Sequence, residues 1–140
     1  MICILYVPSE KCKGEKGMGT EMQEKADRWN KFVMEVCFRD LDTLSEVQRK
    51  AVLCCLYDNE MNSGGFSGYL DMYEDTDFDE LEDALREIAS DEIAGNFHKA
   101  YTEGEEDDYE ATDMEYYRIK PSLTDYLEIY VEEHKDEILL

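Results

Sequence analysis

The chain has 140 residues, which suits one domain and is too short for two separate hydrophobic cores. Its 36 acidic residues against 14 Lys and Arg give a net charge of −22, which argues against direct binding to nucleic acid or to an anionic membrane. Hydrophobic residues make up 43% of the chain, so the acidity does not indicate disorder. Basic proteins, basic peptides or cations are the favoured partners.

The first 20 residues differ from the rest of the chain. The run from Lys11 to Gly19 is basic, rich in glycine and without apolar periodicity. We predict a flexible leader over residues 1–20 and a single helical domain over residues 21–140. An alternative is that the native protein starts at Met18 or Met22.

Apolar residues recur at steps of three and four in five separate segments, a spacing typical of helices. The first predicted helix covers residues 21–40, with Thr20 as its cap. The second follows a capping-box pair, Ser45 and Gln48, and stops at the Gly64-Gly65 pair. Later helices are predicted over residues 66–73, residues 79–89, residues 91–101 after the cap Ser90, and from Thr124 onward.

Residues 103–113 are strongly acidic and lack apolar periodicity, so we predict a loop there. The predicted fold class is therefore all-α: a compact bundle of about six helices with a long acidic loop before the C-terminal helix.

No segment is long and apolar enough to span a membrane. The five cysteines are odd in number, Cys37 and Cys54 fall in apolar helical patterns, and no secretory signal is present. We expect reduced thiols and a cytoplasmic location.

One segment, Glu60-Met61-Asn62-Ser63-Gly64-Gly65-Phe66-Ser67-Gly68-Tyr69-Leu70, resembles the Glu-x-Asn-x-Gly-Gly-Phe signature of a bacterial DNA-mimic protein family. Residues 84–90, and residues 113–117 with Leu127 and Tyr130, resemble two further blocks of that family. The resemblance spans about residues 30–138. It implies a protein that imitates the DNA duplex and binds a basic DNA-binding protein, such as a transcription regulator or a nuclease.

The signature itself is expected to be structural. Gly64 or Gly65 would stop a helix, and Phe66 would fill the core. No phosphate-binding lysine follows the glycines, and Ser67 lacks the frame of a nucleophile elbow. The alternative is a small-molecule site or an enzyme active site at this turn. The family-motif positions are Glu60, Asn62, Gly64, Gly65, Phe66 and Tyr69.

Metal binding and catalysis have little support in the sequence. The stretch from Asp75 to Asp79 opens like a calcium loop, but Glu80 replaces the required glycine and Arg86 the bidentate glutamate. Neither His98 nor His134 has a second ligand at zinc-site spacing. We therefore expect no metal, no cofactor and no enzymatic activity.

The acidic residues are concentrated in one third of the chain. Residues 71–115 hold 19 acidic and 2 basic residues. Within them Asp79, Glu82, Asp83 and Glu87 are spaced by three and four, which predicts a row on one helix face. The predicted partner-binding carboxylates are Asp71, Glu74, Asp75, Asp77, Asp79, Glu82, Asp83, Glu87, Glu105, Glu106, Asp107 and Asp108.

A DNA duplex carries about one charge per 1.7 Å of axis, a field that closely spaced carboxylates approximate. The function favoured by the sequence is a DNA mimic that occupies the nucleic-acid site of a basic protein. An immunity-type protein that neutralises a toxin would use the same surface. A solvated acidic face that serves solubility remains an alternative, and a homodimer is left open.

Overall fold

The computed structural model describes residues 18–140. Within that range there are eight α-helices, three short 3₁₀ helices and no β-strand, which confirms the predicted all-α class. The 3₁₀ helices are Val36–Phe38, Leu41–Thr43 and Gly104–Asp107. The α-helices are α1 (Met18–Met34), α2 (Glu46–Met61), α3 (Gly65–Met72), α4 (Phe78–Ile88), α5 (Asp91–Glu103), α6 (Glu110–Arg118), α7 (Leu123–Glu133) and α8 (Lys135–Ile138).

Helix α2 lies at the centre of the fold. It begins with the predicted capping box, in which the Ser45 hydroxyl accepts from the Gln48 amide and the Gln48 side chain accepts from the Ser45 amide. Every residue from Ala51 to Met61 is buried. The neighbours α3, α4 and α7 surround this stretch, so even its polar residues Asp58, Asn59 and Glu60 are removed from water.

The core is built around the ring of Tyr57. The rings of Phe66, Tyr69, Phe97 and Tyr116 meet it edge to face, with centroid separations of 5.0–6.4 Å. Such geometry is favourable because the positive edge of one ring faces the negative face of the next. Helices α2, α3, α5 and α6 are thereby joined through one aromatic cluster.

Helices α4 and α5 form an antiparallel hairpin. Asp77 caps α4 and Ser90 caps α5, each through a side-chain oxygen that accepts from backbone amides of the first turn. Phe78 at the start of α4 lies against Tyr101 near the end of α5, with ring centroids 5.2 Å apart. The loop before α4 and the segment after α5 are therefore at the same end of the molecule.

Three predictions about individual helices and loops were wrong. Helix α1 begins at Met18 and ends at Met34, so Thr20 lies inside the helix and is not its cap. The predicted acidic loop is largely helical, since a 3₁₀ helix covers its first part and α6 begins at Glu110. The C-terminal helix breaks at His134 into α7 and α8. Of the predicted leader, residues 1–17 lie outside the described residues.

The segment between α5 and α6 is held by hydrogen bonds that its sequence pattern does not predict. Asp108 and Tyr109 have positive φ angles of 57° and 65°, and the Tyr109 amide donates to the Gly104 carbonyl at 2.7 Å. The Asp107 carboxylate then accepts from the Ala111 amide, in the first turn of α6, at 3.0 Å. Backbone and side-chain hydrogen bonds, and not apolar periodicity, form this segment.

The Tyr57 hydroxyl makes no hydrogen bond to any described residue, although it is fully buried. Because an unsatisfied buried polar group costs about 1–3 kcal/mol, Tyr57→Phe should leave the free energy of unfolding unchanged or raise it by about 1 kcal/mol. Urea unfolding followed by circular dichroism measures this quantity. A loss of more than about 1 kcal/mol would show that the hydroxyl has a stabilising partner.

Candidate functional site

The signature segment forms the turn from α2 into α3. Gly65 has a φ of +74°, which only glycine adopts readily, and the chain reverses there. The next amide, of Phe66, donates to Asp113 Oδ1 at 3.1 Å. A Cβ on residue 65 would overlap the same carboxylate. Gly65 is therefore required both for the backbone conformation and for the close approach of α6.

Asp58 is a buried carboxylate that joins three helices, and the sequence analysis did not single it out. It lies on α2 and accepts hydrogen bonds from the Tyr116 hydroxyl of α6, the Thr124 hydroxyl of α7 and the Asn62 amide. Burial raises the pKa of Asp58, and the three donated hydrogen bonds offset only part of that rise. The signature residue Asn62 thus supports a structural junction.

The remaining signature side chains also serve the core. Phe66 and Tyr69 are 0% and 1% exposed, and Glu60 is buried beside Gly68. Phe66 fills the core as predicted. A ligand at the turn would have no contact with Phe66 or Tyr69, because both rings are covered by neighbouring helices. The geometry therefore gives no support to a small-molecule site formed by the signature.

Nine of the twelve predicted partner-binding carboxylates lie in residues 71–79 or 105–108, whereas Glu82, Asp83 and Glu87 lie further along α4. Because Phe78 packs on Tyr101, the acidic residues of 71–79 and those of 103–108 lie at the same end of the α4–α5 hairpin, and we call these two segments the acidic end. Eight of the twelve predicted carboxylates are exposed and form no ion pair within the described part of the chain: Asp71, Glu74, Asp75, Asp79, Asp83, Glu105, Glu106 and Asp108.

Glu82 is not part of a water-facing row, contrary to the prediction. Its side chain is only 16% exposed. One carboxylate oxygen accepts from the Tyr101 hydroxyl at 2.9 Å and lies 2.8 Å from His98 Nδ1, and Arg86 is 3.4 Å from the other. Desolvation opposes the charged form, but hydrogen bonds from His98 and Tyr101 outweigh it, so the pKa of Glu82 is lowered. The α5 side chains that cover Glu82 are brought there by the tertiary fold.

Three other predicted carboxylates already have structural partners. Glu87 forms an ion pair with Lys50 of α2 at 3.0 Å. Asp77 accepts from the first-turn amides of α4, and Asp107 accepts from the Ala111 amide in the first turn of α6. Replacing Asp77 would remove a helix cap worth about 1 kcal/mol, and replacing Asp107 would remove a hydrogen bond to α6, so both are unsuitable for testing a binding surface.

Residues 18–140 contain no group of three or more His, Cys, Asp or Glu side chains arranged to hold a metal ion. None of the helices described combines the length and the apolar character needed to cross a bilayer. The cysteines of this range, Cys37, Cys54 and Cys55, are buried.

The fold and the site define a class: an acidic, all-helical protein whose free carboxylates gather at one end. Residues 42–134 match the family of DMP19-like proteins, and the chain belongs to this DNA-mimic family. The match begins just before α2 and ends just after α7, so it includes the signature turn and the acidic end, whereas α1 lies outside it. Neither a curated protein nor a solved structure matches the chain.

Two adjacent glycines give a matched test of the signature turn. Gly65→Ala should lower the free energy of unfolding by about 2 kcal/mol or more, because alanine disfavours positive φ and its methyl group would displace Asp113. Gly64→Ala is the control, since its Cβ would meet only the Gly68 Cα at 3.5 Å and the φ there is negative. Thermal unfolding measures both. Equal losses for the two variants would contradict the assigned role of Gly65.

The Asp58 junction predicts a pH-dependent effect of Tyr116→Phe. At pH 7.5 the variant should lose about 1.5–3 kcal/mol, because an ionised buried carboxylate loses a donor. As the pH falls through the raised pKa of Asp58, the carboxyl becomes neutral and the loss should shrink to about 1 kcal/mol. Urea unfolding from pH 7.5 down to about 3.9, the ordinary pKa of an aspartate, measures the difference across any raised value. A loss of stability that is the same at every pH would show that the Tyr116 hydroxyl does not stabilise the ionised form of Asp58.

Proposed function

We propose that the chain is a non-catalytic DNA mimic whose acidic end occupies the nucleic-acid site of a basic DNA-binding protein. The observation that carries this proposal is the group of exposed, unpaired carboxylates that the α4–α5 hairpin brings together. Membership of the DNA-mimic family supports the same conclusion. The buried thiols of Cys54 and Cys55 suit a reducing cytoplasm, where such a partner would be found.

The negative charge of the acidic end is not neutralised within the described part of the chain. Arg86 and Lys99 are the only Lys or Arg residues between 71 and 115. Arg86 pairs with Glu82 and Asp91, and Lys99 pairs with Glu115 at 3.8 Å. Like charges at this density destabilise the free protein, and a basic partner would relieve the repulsion.

The carboxylates are presented on an ordered scaffold. The loop before α4 is held by the Asp77 cap and by the Thr76 amide, which donates to the Tyr73 carbonyl at 3.1 Å. The segment after α5 is fixed by the 3₁₀ helix and by the Tyr109 ring, which lies 5.0 Å from that of Phe66. A fixed arrangement lowers the entropy lost on binding, as a rigid duplex does. A toxin with a basic site of similar shape would be bound by the same surface.

Two variants with equal change in charge test the proposal. The partner is first isolated from the native host by affinity capture on the wild-type chain and then purified. In the acidic-end variant, four exposed carboxylates that cap no helix and pair with no described cation are neutralised: Asp75→Asn, Asp79→Asn, Glu105→Gln and Glu106→Gln. The control removes four exposed acids elsewhere: Glu24→Gln, Glu35→Gln, Glu133→Gln and Asp136→Asn.

The acidic-end variant should bind the partner about tenfold to a hundredfold more weakly than the control, and its affinity should depend less on salt. Its stability should be nearly unchanged, because the lost helix-dipole contact of Asp79 is offset by reduced repulsion. Calorimetric titration at several salt concentrations measures affinity, and a DNA duplex should compete with the chain. Equal binding by both variants, or simultaneous binding of DNA and the chain, would refute the mimic.

A further inference from the structure

A cavity of about 170 Å³ lies between α1 and α7, apart from the acidic end. Cavities of about 150 Å³ hold a benzene molecule, so this one has room for a single ring or a short alkyl group. It is open to solvent on one side. The lining residues are Met22, Lys25, Ala26, Trp29, Glu128, Val131 and Glu132.

The inner wall of the cavity is apolar and well ordered by packing. Ala26, Trp29 and Val131 are 1%, 8% and 2% exposed, so each belongs to the core and also borders the cavity. The Trp29 ring packs on Phe32 with centroids 5.6 Å apart, which fixes one wall. Apolar groups of a ligand would therefore leave water for a surface that is already formed.

Two carboxylates border the same cavity, and they differ in their partners. Glu132 is bound by Arg28 and lies 3.8 Å from the Lys135 ammonium. Glu128 is half-buried and has no hydrogen bond or ion pair within the described residues. Desolvation raises the pKa of Glu128, and the positive charge of Lys25 only partly offsets the rise. Glu128 is thus a half-buried carboxylate at the edge of the cavity, and its oxygens are able to accept hydrogen bonds from a ligand.

We propose that this cavity binds a small organic cation, an arylalkyl- or alkylammonium ion. Its apolar group would occupy the space beside Trp29 and Val131, and its ammonium group would donate to the Glu128 carboxylate. Lys25 also borders the cavity, but it forms no ion pair with Glu128 among the described residues. An ammonium ligand would supply the direct charged hydrogen bond that Glu128 lacks, and a neutral ligand would not. The site uses no carboxylate of the acidic end, so it does not depend on the proposed function.

Trp29 is the only tryptophan of the chain, so its fluorescence reports directly on the cavity. The probe is benzylammonium, titrated into the full chain at pH 7.5 and about 0.15 M NaCl, where weak surface attraction is screened. Trp29 emission should change saturably, with a dissociation constant on the order of 1 mM or lower for a ligand of this size. Benzyl alcohol, which has the same shape and no charge, should bind at least about tenfold more weakly.

Two variants on α7 separate the specific contact from general charge. Glu128→Gln should weaken benzylammonium binding at least about tenfold and leave benzyl alcohol binding unchanged, because only the ion pair is lost. Glu133→Gln removes the same charge from an exposed position outside the cavity and should bind like the wild type. A third variant, Ala26→Leu, fills the cavity and should abolish binding of both ligands, with the melting temperature as a check of folding.

Three results would overturn the proposal. Trp29 emission that does not change up to about 20 mM benzylammonium would show that the cavity takes no such ligand, since affinity would lie far below the expected range. Equal affinity for benzyl alcohol would show an apolar cavity without cation recognition. Equal affinity in Glu128→Gln and the wild type would exclude Glu128 as the binding carboxylate, whether or not Ala26→Leu folds.

Discussion

The burial of α2 on all sides from Ala51 to Met61 is the constraint on which the rest of this structure depends. A carboxylate in such a stretch needs hydrogen-bond donors within the protein, because water does not reach it. Asp58 meets this requirement by accepting from Tyr116 and Thr124, and so it fixes α6 and α7 against α2. Tyr57, one residue earlier, gathers the aromatic rings of α3, α5 and α6. Polar and apolar contacts of one helix thus set the positions of most others.

This arrangement divides the acidic residues into two kinds. Some carboxylates are bound by cations, hydroxyls or helix termini, as Glu80 is by Arg49 of α2. The pKa of Glu80 is lowered by that hydrogen bond, so it contributes to stability as a charged group. The exposed carboxylates without partners at the acidic end, such as Asp75 and Glu105, have no such role in the described structure. Only this second kind is available to a partner without loss of the fold, which is why residue counts alone overstate the binding surface.

The two proposed sites use different parts of the chain. The acidic end is formed by α3, α4, α5 and the segment after α5, all within the region shared with DMP19-like proteins. The cavity requires α1, which lies outside that region and covers α7. The cavity lies along the line where α1 meets α7.

The sequence by itself determined the all-α class, the caps at Ser45 and Ser90, a turn at the Gly64-Gly65 pair and the family, because these depend on periodicity, on hydrogen bonds between near neighbours and on local motifs. Only the tertiary structure decided which carboxylates are free. Glu82 meets His98 16 positions later, and Asp58 meets Thr124 66 positions later. Such contacts depend on how helices pack, so a spacing of three and four predicts a row of acids but not the residues that cover one of its members.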